Sequence, residues 1–353
     1  MRLIRAGPYG DLMQSPVLDQ LGSADLKAIT TAFQLGPVSS VERVVAGLMN
    51  DNFRLATETG VFLVKRVRDV PVDKARRNLH AVAVLAAEGL PVAGPVLAGG
   101  DPVLELGSGA FTVTRWVEGV HLTGGEMSVE QARLLGTELG ALHGRLRALL
   151  PDGGPLPASR TASVEAAIDE ADRFLEVIAS RVELDDFDLL VDKALRRRVE
   201  LVEFHRGLRP ETDGPVGPGG WTHGDVQPFN LLWRDGGLVA VVDWDRLGIR
   251  SYGEEVARTA TLVFAAGDGG LDLAKVEAFA AGYRAAFGVV DGAALRDAVA
   301  RLLWKRLCDF WHLDFHYLRA DHGCDHLFVS ATGLLEWWLE HEALVELAIA
   351  GPR

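Results

Sequence analysis

Cysteine is almost missing: Cys308 and Cys324 are the only two in 353 residues. That is too few for a disulfide framework, and a reducing cytoplasm is the default expectation. No run reaches the roughly 18 uninterrupted apolar residues that a membrane helix needs. Even HAVAVLAAEGLPVAGPVLAGG is broken by Glu88, Pro91 and Pro95. The opening MRLIRAGPYGDLMQSP lacks the apolar stretch of a secretion signal. Basic charge is not in excess either. A formal net charge of -13 argues against a nucleic-acid partner, because neutralising phosphates needs basic patches. No GxxxxGK followed by Ser or Thr occurs, and no GxSxG, so neither a P-loop nor a Ser-centred nucleophile elbow is supported.

What remains is an ordinary globular mixture, 48% hydrophobic and 24% charged. At this length one hydrophobic core rarely suffices, so two lobes are expected. Residues 1–117 read as the first. Ser23 is placed to cap a helix over ADLKAITTAFQL. The runs VERVVAG, NDNFRLATETG and VFLVKRV are short, alternating and separated by Gly and Asn, as in an antiparallel meander. VDKARRNLHAVAVLAAEGL reads as an amphipathic helix closed by Gly89 and Pro91, and PVLAGGDPVLELGSGAFTVTRWVEG as two or three further strands. Residues 118–353 change to long helical patterns, the first opening with a capping-box spacing of Ser128 and Gln131. The fold class is therefore α+β, a small antiparallel sheet lobe followed by a larger, mostly helical one.

One β-like island interrupts the helical part: THGDVQPFNLLWRDGGLVAVVDWD. Its acids sit at the ends of apolar elements, where a buried carboxylate is costly unless paired or metal-bound. Pro228 blocks a regular helix between Asp225 and Asn230, which makes a tight loop. LLW and LVAVVDWD, joined by Asp235-Gly236-Gly237, read as a hairpin that returns Asp243 to the neighbourhood of Asn230. Amide and carboxylate oxygens at this spacing suit Mg²⁺, which completes its shell with water and phosphate. Asp225 is then placed to accept a proton from a hydroxyl. A cation for nucleotide phosphates is available in Lys65, on a strand face with Leu63 and Val67, opposite Phe62, Val64 and Arg66.

HGDVQPFN followed by VVDWD resembles the catalytic and metal motifs of the aminoglycoside phosphotransferase and choline kinase family, small-molecule relatives of protein kinases. GLMNDNFRLATETGVFLVKRV resembles the nucleotide-covering loop and lysine strand of its homoserine and hexosamine kinase members, and FTVTRWVEG resembles the hinge. The resemblance implies a two-lobed protein-kinase-like fold, ATP and Mg²⁺ as cofactors, and a small-molecule acceptor. Asp225 would be the catalytic base, and Asn230 and Asp243 would hold the metal, with Asp245 assisting. Lys65 would contact the α and β phosphates, and Gly47 with the LMNDN turn would cover the phosphates. The Arg115 carbonyl and Val117 amide would receive adenine. The family's helix after the lysine strand usually offers a glutamate to that lysine. Here KARRNLHAV has Arg76, Arg77, Asn78 and His80 instead.

The acceptor first suggested is a sugar, amino sugar or aminoglycoside-type antibiotic; an amino alcohol such as homoserine or choline is the alternative. A nucleotide-binding scaffold without turnover is the reading from another class. Trp304, Asp309, Trp311, Asp314 and Tyr317 combine rings and acids in a way that suits a substrate wall. Cys308, His312 and His316 fall four residues apart, so one helical face would present three metal donors, although the spacing matches no compact zinc signature.

Overall fold

Strand pairing and apolar packing divide the chain into two units, one of residues up to Arg76 together with Pro95–Trp116, the other of Arg77–Gly94 together with Val117–Arg353. The computed structural model describes residues 21–44, 50–151, 153–158, 161–267 and 269–353.

The first unit is an antiparallel sheet with one helix on its face. Helix α1 (Ser23–Ala32) begins one residue earlier than the cap expected from the sequence: Gly22 is the N-cap and Ser23 is the first helical residue. Strands β1 (Val38–Val44), β2 (Asp51–Thr57), β3 (Gly60–Val67), β4 (Val103–Leu106) and β5 (Gly109–Arg115) lie in the order β1-β2-β3-β5-β4. Alternation decides which face is covered. Phe53 and Leu55 on β2, Phe62 and Val64 on β3, and Phe111 and Val113 on β5 form one cluster with Ile29, Phe33 and Leu35. Burying each such side chain is worth about 1.5–3 kcal/mol, which fixes the register against slippage. Lys65 is in register with Asn52 and Thr112 and points to the other face.

Helix α2 (Val72–Ala87) contributes its first turn to this unit and the rest to the second. The second unit continues with α3 (Val129–Leu149), α4 (Val164–Ala179), α5 (Asp186–Phe204), β6 (Gly219–Thr222), β7 (Leu231–Arg234), β8 (Gly237–Val241) and β9 (Gly248–Ser251). After these come α6 (Tyr252–Val263), α7 (Leu273–Ala286), α8 (Gly292–Leu307), the single turn α9 (Trp311–Leu313), α10 (Asp325–Glu340) and α11 (Glu342–Ala350). The expected capping box on α3 is present: Gln131 N–H donates to Ser128 Oγ at 3.1 Å, and Ser128 N–H to Gln131 Oε1 at 2.9 Å. Helices α3 and α7 approach closely because Gly136 has no side chain; a methyl there would overlap the Phe279 carbonyl. The large core holds Trp233, Trp244, Trp304 and Trp338 among aliphatic residues of α3, α6, α7, α8 and α10. Among the described residues, no helix is long and apolar enough to cross a membrane.

Candidate active site

β6 pairs with β9 in antiparallel register, and the chain leaves β6 into a loop whose backbone hangs on one buried carboxylate. Glu255, on α6 and 5% exposed, accepts from the amide of His223 at 3.2 Å and from the amide of Gly224. His143 Nε2 reaches the same carboxylate at 2.6 Å, and its Nδ1 lies 2.9 Å from the Tyr283 hydroxyl. A carboxylate can only accept, so the imidazole presents a hydrogen on Nε2; burial pushes Tyr283 well above the ordinary phenol range, so its hydroxyl keeps the proton that it can donate to Nδ1. Burial alone would raise the Glu255 carboxyl. The donors from His143 and the loop amides outweigh it and hold the group below the usual carboxylate range.

His223 is fixed in one tautomer by the same logic. Its Nε2 lies 3.0 Å from the Val242 carbonyl and must donate; its Nδ1 accepts from the Asp225 amide at 3.2 Å. The ring is buried, and desolvation lowers its pKa, in keeping with a neutral imidazole. Gly224 has φ +83°, and a Cβ there would come within 2.6 Å of the Arg246 carbonyl. Only glycine meets both demands.

The Asp225 carboxylate emerges from this loop. Its Oδ1 accepts from Arg258 Nη2 at 2.8 Å, and its Oδ2 accepts from Gln227 Nε2 at 3.1 Å and from Asn230 Nδ2 at 3.4 Å. Asn230 Nδ2 also donates to the Asp225 carbonyl at 2.8 Å, which turns Oδ1 of the amide away from Asp225 and leaves it for another ligand. The expected tight loop is a single 3₁₀ turn, Pro228–Asn230. The hairpin then forms as read, with Asp235 and Gly236 both at positive φ in the turn. Val242 N–H donates to the Asn230 carbonyl at 2.9 Å, so Asp243 follows one residue after a direct link to Asn230. Asp243 has φ 61° and ψ 67°, a left-handed conformation that aspartate tolerates better than most residues. Hard oxygens from Asn230 and these acids are of the type Mg²⁺ takes.

The position where the sequence lacks a glutamate has a definite occupant. Asn78 of α2 is buried, and its Nδ2 donates to the carbonyls of Trp244 at 2.9 Å and Asp245 at 3.2 Å. The amide thus holds the turn that follows Asp243. Asp73 on the same helix accepts from Arg76 at 2.9 Å, and Arg76 also engages Asp101 and Glu105.

The other expected residues fall in several places. Lys65 is half-buried on β3, Arg115 ends β5, and Val117 opens the next stretch of the second unit. Gly47 lies outside the described residues. Asp245 sits in the 3₁₀ turn Trp244–Arg246. The proposed substrate wall divides. Trp304 is fully buried, its indole donating to the Ala162 carbonyl at 2.9 Å, so it belongs to the core and presents no face to a ligand. Asp314 accepts from Arg173 at 3.1 Å, and Tyr317 donates to Asp188 at 2.9 Å. Trp311 is 40% exposed, and Asp309 accepts from its amide at 3.3 Å. Nor do Cys308, His312 and His316 share one helical face: α8 ends at Leu307, and the segment after it turns twice.

No sequence signal marked Glu255 or Arg258, although both lie on α6 directly after the island. Arg306 is a further basic group here. Its Nη2 donates to Thr261 Oγ1 at 3.2 Å, and its Nε is buried with no hydrogen-bond partner among the described residues. Desolvation, with Arg258 nearby, lowers its pKa to about 10.

Residues 40–295 match a family model described as "Phosphotransferase enzyme family". A homoserine kinase of Methylocella silvestris is 31% identical over 132 residues, a match covering 36% of this chain and 40% of that protein. The fold is similar to that of a spectinomycin phosphotransferase solved with ADP and spectinomycin (TM-score 0.61, 14% identity, 94% of this chain and 98% of that one). It is also similar to a microcompartment-associated aminopropanol kinase (TM-score 0.58, 16% identity, 91% and 99%).

Proposed function

Because the chain belongs to the phosphotransferase enzyme family, we propose that it moves the γ-phosphoryl group of ATP to a hydroxyl of a small polar molecule. The observation that carries this reading is the convergence of Asp225, Asn230 and the turn entering Asp243 on one loop. In this reading the acceptor hydroxyl gives its proton to Asp225 as its oxygen bonds to the γ-phosphorus. The bond from that phosphorus to the β–γ bridging oxygen breaks, and ADP departs. Asn230 and Asp243, with Asp245 beside them, hold Mg²⁺, which when bound neutralises the phosphate oxygens. Lys65 steadies the α and β phosphates, and the Arg115 carbonyl with the Val117 amide receives the base. Glu255 and His143 keep the loop in place.

The acceptor classes are a sugar, amino sugar or aminoglycoside-like molecule, or an amino alcohol. Arg258 beside Asp225, with half-buried Arg306 close to it, favours within the second class an acceptor that also bears a carboxylate, as homoserine does. ADP release with Mg²⁺ and a panel of hydroxy amino acids, amino alcohols, sugars and aminoglycosides tests both levels. Turnover with a carboxylate-bearing amino alcohol, reduced at least tenfold in Arg306→Met, supports the narrower reading. Turnover with aminoglycosides alone overturns it, and ATP binding without turnover on any acceptor favours a non-catalytic scaffold.

A further inference from the structure

The segment after α8 contains a second constellation, remote in sequence from Asp225. It makes a π turn over Asp314–Leu318, a widened turn that is rare and often found at functional sites. The turn presents His316, 4% exposed and stacked on Phe187 with centroids 4.5 Å apart. A 3₁₀ turn, His322–Cys324, follows, fixed by the Asp321 carboxylate accepting from the Gly323 amide at 2.9 Å. Asp325 then opens α10.

Three side chains meet there. His316 Nδ1 lies 3.0 Å from each oxygen of Asp325 and 3.0 Å from His322 Nδ1, and His322 Nδ1 lies 3.5 Å from Asp325 Oδ2. Protons do not satisfy this triangle well. A hydrogen on His316 Nδ1 is one donor facing three acceptor atoms. A hydrogen on His322 Nδ1 pointed at His316 instead leaves a ring lone pair against a carboxylate. A single cation at the centre satisfies all three with their lone pairs inward. Ligands about 2.0–2.1 Å from a tetrahedral ion lie roughly 3.3–3.4 Å from one another, close to the three separations found.

We propose that His316, His322 and Asp325 bind a divalent transition-metal ion, zinc in preference, which ties the π turn to the head of α10. Two imidazoles and one carboxylate suit Zn²⁺ and disfavour Mg²⁺, which requires oxygen donors. The exposed side, where His322 is 62% solvent-accessible in its side chain, leaves the fourth position to water. The segment so fastened carries Trp311, Asp314 and Tyr317, so the ion acts by holding these groups rather than by chemistry on phosphate.

The test is metal analysis of the full-length protein, first as purified and then after chelation and titration with Zn²⁺ in millimolar Mg²⁺. One zinc per chain is expected, undisplaced by Mg²⁺, with the unfolding temperature falling by several degrees on chelation and returning on zinc addition. His322→Ala changes an exposed side chain and should fold, yet bind zinc at least a hundredfold more weakly; Asp243→Ala should keep the zinc. Absence of stoichiometric zinc in the wild type, or equal zinc affinity in folded His322→Ala, overturns the site.

Discussion

Replacing Glu255 by Gln removes one negative charge and one acceptor oxygen from a place that water does not reach. The carboxylate receives the His223 amide, the Gly224 amide and His143 Nε2. A glutamine offers one oxygen and an NH₂, so its NH₂ must face at least one of these donors. Hydrogen bonds to a charged group contribute about 1.5–3 kcal/mol, and a buried donor left unmatched costs about 1–3 kcal/mol. Loss of one bond and weakening of the others therefore destabilises the second unit by about 3 kcal/mol. Tryptophan fluorescence in urea follows this unit, since only Trp116 of the 8 tryptophans lies outside it. With a slope of about 3 kcal/mol per M, the midpoint should fall by about 1 M. Glu254→Gln is the internal control. That carboxyl is largely buried, burial raises its pKa, and its Oε1 has no hydrogen-bond partner among the described residues. The neutral isostere should leave the midpoint unchanged or raise it. Equal midpoints for wild type and Glu255→Gln would refute the view that the loop is suspended from this carboxylate.

Three further expectations concern acid stability, the turn after Asp243 and the lysine of β3. Wild-type stability should decline as pH drops below about 6.5, because burial lowers the pKa of His223 and takes that of His312 to about 4. The unfolded chain then binds protons that the folded state resists, so stability is full above the ordinary imidazole value and is lost on acidification; a urea midpoint constant from pH 7 to pH 5 would contradict this. Asn78→Ala should cost about 1–3 kcal/mol by removing the hydrogen bonds that its buried amide gives to the Trp244 and Asp245 carbonyls, and should weaken ATP binding with Mg²⁺ more than without it. Equal losses under both conditions, measured by calorimetry, would separate Asn78 from the metal turn. Lys65→Ala should weaken ATP binding more than acceptor binding, and the reverse order would remove Lys65 from the nucleotide site.

Much of this architecture is legible in local sequence, because the relevant forces act over a few residues. Asp235-Gly236 supplies the two positive-φ positions of a tight hairpin, Pro228 limits the preceding loop to one turn, and Ser128 with Gln131 caps a helix. Alternation on β3 separates Phe62 and Val64 from Lys65. Long-range pairing is not legible in that way. Glu255 carries no local mark of holding two amides more than thirty residues earlier, and Asn78 reaches Trp244 from a helix far upstream. Trp304 and Trp311 look alike in sequence, yet one is core and the other is exposed. The four-residue spacing of Cys308, His312 and His316 failed for a local reason: α8 stops before Cys308, and the π turn resets the phase, bringing His316 to His322 and Asp325.

The central claim is that Asp225 takes the proton of the acceptor while Asn230 and Asp243 hold the metal that carries the phosphate. The most direct test measures Mg·ATP affinity and ADP release together in Asp225→Asn, with an acceptor that the wild type turns over. The account predicts affinity within about threefold of wild type and turnover lower by about 10² to 10⁴, the usual worth of a positioned general base. Unchanged turnover in that variant, with ATP still bound, would contradict it.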